Sequence, residues 1–301
     1  MTRPPADLLR IAPDIADAHA AHAPVVSLES TLITHGMAPP DNLKTARAAE
    51  AAIRDGGALP ATIAVLDGRL AIGLTPAELE RLADTRDAAK LSRADLAHGL
   101  RAGGVGGTTV AATMIAARLA GIEVFATGGI GGVHRGAATS FDVSADLQEL
   151  ARTPVTVVAS GAKAILDLPA TLEMLETLGV PVITFGQDDF PSFWSRNSGL
   201  ASPLRADDPA AIAETHRLRA RLGLSAGQLV ANPVPAGVEI PRQTISPIIE
   251  AALDAAAETG VTGKAVTPFV LGRIAEASGG AALRANSALI ASNAALAARI
   301  A

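Results

Sequence analysis

Residues 109–136, TVAATMIAARLAGIEVFATGGIGGVHRG, carry the reading of the fold. From Thr109 to Ala120 small apolar residues recur at helical spacing, and from Glu123 to Thr127 a short β-branched and aromatic run reads as a strand. The strand runs straight into a polar, glycine-rich segment. The same alternation extends in both directions. Strands are expected at Pro24–Leu28, Ala61–Leu66, Arg69–Ile72, Pro154–Ala159 and Val180–Phe185, with Asp67-Gly68 as a hairpin turn. Helices are expected at Asn42–Gly56, Thr75–Thr85, Lys163–Leu178, Pro209–Leu222, Ser246–Thr259, Pro268–Ala277 and Leu283–Ala301. Short strands feeding longer helices define an α/β protein with a mostly parallel sheet. No segment qualifies as a linker and no repeat of solenoid or propeller period is present, so one domain is expected over residues 1–301, with 1–23 as a helical N-terminal extension.

Composition narrows the function. The 25 Lys and Arg against 30 Asp and Glu leave a net charge of −5, which disfavours non-specific binding to nucleic acid or an anionic membrane. Aromatic residues are only 2%, so the stacking platforms of single-stranded nucleic-acid binders are missing. The absence of Cys removes disulfides, thiolate nucleophiles and Cys-ligated metals. The N-terminus has no uninterrupted apolar stretch, and the most apolar later window, Thr108–Val133, is broken by Arg118 and Glu123, so a cytoplasmic protein is expected.

In open α/β sheets ligands gather where strands end and helices begin. Gly106-Gly107-Thr108-Thr109 reads as a glycine turn opening a helix, which either receives a phosphate or is an ordinary capped turn; the Gly-Lys-Ser/Thr ending of a P-loop is absent. In Gly128–Gly132 a dinucleotide fingerprint fails, because His134 stands where the third glycine belongs. Two double glycines still imply a sharp turn or a close backbone approach, with His134 and Arg135 following at once. Asp142, Ser144 and Asp146 alternate, so on an extended segment they share a face suited to Mg2+ or Mn2+, or else they cap a helix starting near Ala145. Lys163 at a helix start, among apolar residues, is a usable amine for a carbonyl. Glu29, in the loop after a strand, becomes a general acid if burial raises its pKa. Lys90 is either a solvated helix-end cation or a ligand group, and Asn286 either a core amide or a binding residue.

Several segments taken together resemble one family: Ser27-Leu-Glu29-Ser-Thr-Leu-Ile-Thr-His35-Gly36, Pro60–Val65, Lys90-Leu-Ser92, Gly107–Met114, Ala126–Gly136, Phe141–Leu147, Ser160–Pro169 and Ala231-Asn232-Pro-Val-Pro235. In this order, from about Val25 to the C-terminus, they look like pseudouridine-5'-phosphate glycosidases. The resemblance implies reversible interconversion of pseudouridine 5'-phosphate and water with uracil and ribose 5-phosphate. It also implies a three-layer α/β/α fold, Mn2+ and a homotrimer. Carried over residue by residue, Lys163 stands at the Schiff-base lysine, Glu29 at the proton donor and Asp142 at the metal ligand; Lys90, Val110 and Ser144-Ala145-Asp146 stand at substrate positions, and Thr109, His134 and Asn286 are expected beside them. Ser160 departs from a position that is often Ala or Cys, and Trp194 from one that is often Tyr. A Schiff-base aldolase acting on a sugar phosphate and a non-catalytic sugar-phosphate sensor are the alternatives.

Overall fold

The computed structural model describes residues 7–261, 263 and 266–301. The first half runs β1 (Leu9–Ile11), α1 (Pro13–Ala20), β2 (Val25–Leu28), α2 (Asp41–Asp55), β3 (Leu59–Leu66), β4 (Arg69–Ile72), α3 (Pro76–Asp84), β5 (Ala89–Leu91), α4 (Leu96–Ala102), β6 (Val105–Thr108) and α5 (Val110–Ala120). It continues with β7 (Val124–Ala126), α6 (Ala137–Ser140), α7 (Ala145–Leu150), β8 (Thr156–Ala159), α8 (Leu168–Thr177), β9 (Val182–Phe185), β10 (Leu204–Ala206) and α9 (Pro209–Arg221). The last elements are β11 (Gln228–Ala231), α10 (Arg242–Glu258), α11 (Val266–Ala277) and α12 (Ala281–Ile300).

The main strand order is β1-β4-β3-β2-β7-β8-β11-β9-β10, with β6 pairing to β3 and β5 to β6. Only β3–β4 and β3–β6 are antiparallel; every other pair is parallel. Alternation along the strands sends side chains to two faces. On one face Val25, Ala61, Ile63 and Val65 pack with Ile15 of α1 and Ala112 and Ala116 of α5. On the other, Val26 and Leu28 pack with Ala49 and Ile53 of α2 and with α12. Helices therefore cover both sides of a mostly parallel sheet. The expected hairpin is present: Asp67 and Gly68 have φ of 51° and 78°, the left-handed pair that a tight β3–β4 turn requires.

Four expectations are corrected. Gly106 and Gly107 are not a turn but part of β6; side chains there would collide with Leu91 and Thr34. The helix placed at Lys163 begins at Leu168, because the Asp167 carboxylate caps it by accepting from the Ala170 N–H at 3.0 Å. Lys163 thus lies in the turn that precedes this helix and not in its first turn. Residues 7–23 hold the strand β1, paired in parallel with β4, as well as α1. Helix α10 starts a turn before Ser246 and carries Pro247 inside it.

Strands β2 and β7 are neighbours, and the chain leaves β2 toward β3 on one side and β7 toward β8 on the other, the switch point at which a crevice opens between their C-terminal ends. The candidate site lies there.

Candidate functional site

Glu29 follows β2 directly and is 6% exposed. Its two carboxylate oxygens each accept a hydrogen bond, one from the Thr31 hydroxyl and one from the Thr127 hydroxyl at the end of β7. Burial pushes its pKa above the ordinary carboxylate value; the Lys163 charge and the two hydroxyls pull in the other direction without cancelling the shift.

Lys163 is placed by backbone rather than by a helix. The Lys163 N–H donates to Ile130 C=O at 3.1 Å, the Ile130 N–H to Gly161 C=O at 3.1 Å, and the Ser160 N–H to Gly128 C=O at 2.9 Å. The turn after β8 is thereby laid along the glycine-rich segment after β7. That segment needs glycines for close approach: a Cβ at Gly129 would lie 2.7 Å from the Phe193 ring, and side chains at Gly131 and Gly132 would strike Ser144 and Thr171. None of these glycines has a positive φ, so proximity, not turning, is the requirement.

Asp146 settles one of the open alternatives. Its carboxylate accepts from the Ala111 N–H at 3.0 Å and the Gly131 N–H at 2.8 Å, tying the start of α5 to the glycine segment. Ser144 caps α7, its hydroxyl accepting from the Asp146 N–H at 3.2 Å. Ser144 and Asp146 thus take the capping alternative, while all three residues still line one cavity. Asp142 is half-exposed, its Oδ2 3.8 Å from His134 Nδ1. Among the described residues no three His, Cys, Asp or Glu side chains cluster closely enough to enclose a metal.

One cavity of about 440 Å³ is lined by Glu29, Lys163, Lys90, Thr109, Val110, His134, Asp142, Ser144, Ala145, Asp146 and Asn286, so the structure brings all the expected residues together. That volume suits a nucleotide-sized ligand. One end is cationic. Lys90 lies on β5, and the Thr109 N–H donates to Leu91 C=O at 2.9 Å, which sets the capped start of α5 beside it. His35 and His134 both have pKa values lowered chiefly by burial, and the Lys90 charge lowers both further. Lys163 is within electrostatic reach of both Glu29 and His134.

Sequence reasoning missed Thr31, Thr127, His35, Phe193 and Asn293. Hydroxyls after a strand read as turn residues, and His35 lay in a quoted motif with nothing local to single it out. Asn286 lines the cavity and accepts from Trp194 Nε1–H at 2.6 Å; the core amide is instead Asn293, which donates to Thr127 C=O at 2.8 Å and accepts from Asn232 Nδ2 at 3.0 Å.

The chain matches the family described as indigoidine synthase A like protein over residues 14–301. It is 63% identical to a pseudouridine-5'-phosphate glycosidase of Jannaschia sp. (strain CCS1), over 97% of both chains. It is also 63% identical to one of Paracoccus denitrificans (strain Pd 1222), over 98% of this chain and 97% of the relative. Among solved structures, the prealnumycin C-glycosynthase AlnA in complex with ribulose 5-phosphate superposes with a TM-score of 0.90 at 38% identity, covering 98% of this chain and 96% of that one. An indigoidine synthase A-like protein from Thermotoga maritima gives 0.88 at 35% identity, covering 97% and 95%.

Proposed function

Because the chain belongs to the pseudouridine-5'-phosphate glycosidase family, we propose that it interconverts pseudouridine 5'-phosphate and water with uracil and ribose 5-phosphate. The observation that carries this reading is the pairing, in one cavity, of a buried carboxylate with raised pKa and an amine whose charge reaches it. Protonating a glycosidic heteroatom cannot release the base of a C-glycoside, so the carboxylate pair of ordinary glycosidases is insufficient. An amine supplies another route. The Lys163 amine attacks C1', and the ring oxygen departs with a proton from Glu29. Glu29, now a carboxylate, takes a proton from the new C1'–N ammonium and delivers it to uracil C5; the C1'–C5 electron pair then returns to the C5–C6 bond as the freed nitrogen lone pair forms C1'=N. Water hydrolyses the imine and frees ribose 5-phosphate and Lys163. A raised pKa is what the acid role asks of Glu29, since the group must hold a proton near neutral pH. Uracil release from pseudouridine 5'-phosphate tests the reading; no release defeats it.

The cationic end supports phosphate recognition. A hydrogen bond to a charged group contributes about 1.5–3 kcal/mol, so Lys90→Ala is expected to lower kcat/KM for the phosphorylated substrate roughly 10- to 150-fold. Unphosphorylated pseudouridine, already poor, has no dianion to lose and should be scarcely affected. Equal losses on both substrates would show that Lys90 supports the fold or the chemistry instead.

Mn2+ belongs to the same reading. A single half-exposed carboxylate, Asp142, suits a hard cation whose remaining ligands are water and substrate oxygens. Such an ion supplies positive charge against the phosphate. Chelation is expected to remove activity and Mn2+ to restore it, and Asp142→Ala to raise the Mn2+ concentration needed; activity indifferent to chelators would count against this. A cytoplasmic homotrimer is also part of the reading. Phe141 at 85% and Leu222 at 74% exposure are apolar surface that association would cover, and a sedimentation mass of three chains is expected.

A further inference from the structure

We propose that Trp194 determines which edge of the pyrimidine the site reads, by fixing the orientation of the Asn286 amide. An indole N–H only donates, so the Asn286 atom 2.6 Å from Trp194 Nε1 is necessarily the oxygen. The amide NH2 is left at the cavity wall, where it has no hydrogen-bond partner among the described residues. Ile290, one turn along α12 from Asn286, and Leu271 and Phe193 line the same cavity, an apolar setting for a flat base, and an NH2 in such a setting calls for an acceptor. A carbonyl oxygen of uracil meets that demand. The amino group of cytosine presents donor to donor.

The indole is held firmly enough to impose this choice. Trp194 is 1% exposed, and its carbonyl accepts from the Ile240 N–H at 2.9 Å. The Ser195 hydroxyl donates to Ile240 C=O at 2.6 Å, and the Phe193 N–H to Ser160 C=O at 3.2 Å. The Phe193 and Trp194 rings meet edge to face at 5.0 Å. Asn286 is likewise in register with the acid, since Asn293, two turns along α12 on the same side, donates to the carbonyl of Thr127, whose hydroxyl holds Glu29. Trp194 is thus a positioning residue acting through Asn286.

The inference rests on the proposed function, because it presumes a pyrimidine at this site. The test follows turnover of pseudouridine 5'-phosphate by ribose 5-phosphate formation and measures inhibition by uracil, cytosine and ribose 5-phosphate. Wild type should prefer uracil. In Trp194→Phe the amide is free to rotate, and the uracil-to-cytosine preference should fall by roughly tenfold, the scale of one well-made neutral hydrogen bond. In Asn286→Asp the near oxygen still accepts from the indole while the far oxygen accepts where NH2 donated, so the preference should move to cytosine. Inhibition by ribose 5-phosphate should change less than about twofold in both variants, which mere loss of packing would not achieve. The Asp variant keeps the indole, so the test does not depend on Trp194→Phe folding. An unchanged preference in either folded variant, or equal weakening of all three ligands, overturns the inference while leaving the function standing. A wild type that neither turns over pseudouridine 5'-phosphate nor is inhibited by uracil overturns both.

Discussion

Lys163→Met abolishes uracil release, with an expected loss of at least about 10⁴-fold, the scale on which enzymes lose rate when a covalent catalyst is removed. The size of the loss follows from the bond concerned. Without a nitrogen lone pair at C1' no electron pair replaces the departing carbon, and Lys90, the one other lysine among the described residues that line the cavity, acts on His35 and His134 while Lys163 acts on Glu29. Methionine has similar length and packs as an apolar chain, so the turn tied to Gly128 and Ile130 should persist. Binding of ribose 5-phosphate should therefore weaken far less than turnover. A variant with turnover within tenfold of wild type would remove Lys163 from the chemistry.

Glu29→Gln is expected to keep the fold and lose turnover by roughly 100-fold or more, because an amide fills the same space between Thr31 and Thr127 but cannot pass a proton. The same substitution has a stability signature. The folded pKa of Glu29 is raised above the ordinary glutamate value of 4.5, so its protonated form is favoured by folding. Its contribution is fully present below pH 4.5 and is lost as pH rises through the folded pKa. Above that pH the wild type buries a charge that the Gln variant does not. Thermal melts should show Glu29→Gln gaining on wild type as pH increases and running parallel to it at lower pH. A gain that grows as pH falls would contradict the burial argument. Turnover near the wild-type rate would contradict the acid role.

Much of this was legible in the sequence, for physical reasons. β-branched runs such as Val25–Leu28 and Thr156–Ala159, followed by small-residue helices, announce a parallel sheet because both faces must be apolar. β1, β5 and β10 were not legible: each has three residues, and unlike the equally short but fully buried β7 none of them is an uninterrupted buried apolar run. Nor was β6, whose glycines mimic a turn but are set by the nearness of Leu91 and Thr34. At the site, Glu29, Lys163 and Lys90 stood out by residue type at the ends of expected strands and helices, and Asn286 as an amide among apolar neighbours in the last helix. The partners that tune them did not: Thr31 reads as an ordinary turn hydroxyl two residues on, Thr127 matters only because β2 and β7 are neighbours, and Asn293 because α12 crosses those strand ends. The partners of Asp146 were not legible either, since two backbone N–H groups that no pattern reveals donate to its carboxylate.

The central claim is that an imine forms on one particular amine. The chain has four lysines, Lys44, Lys90, Lys163 and Lys264, the last outside the described residues. Incubating the protein with ribose 5-phosphate, reducing with borohydride and mapping peptides by mass spectrometry separates them. The expected result is a single modified peptide carrying the reduced sugar phosphate on Lys163, absent when sugar or borohydride is omitted. Modification of Lys90 or Lys264 in its place, or uracil release with no trappable adduct, would contradict the account.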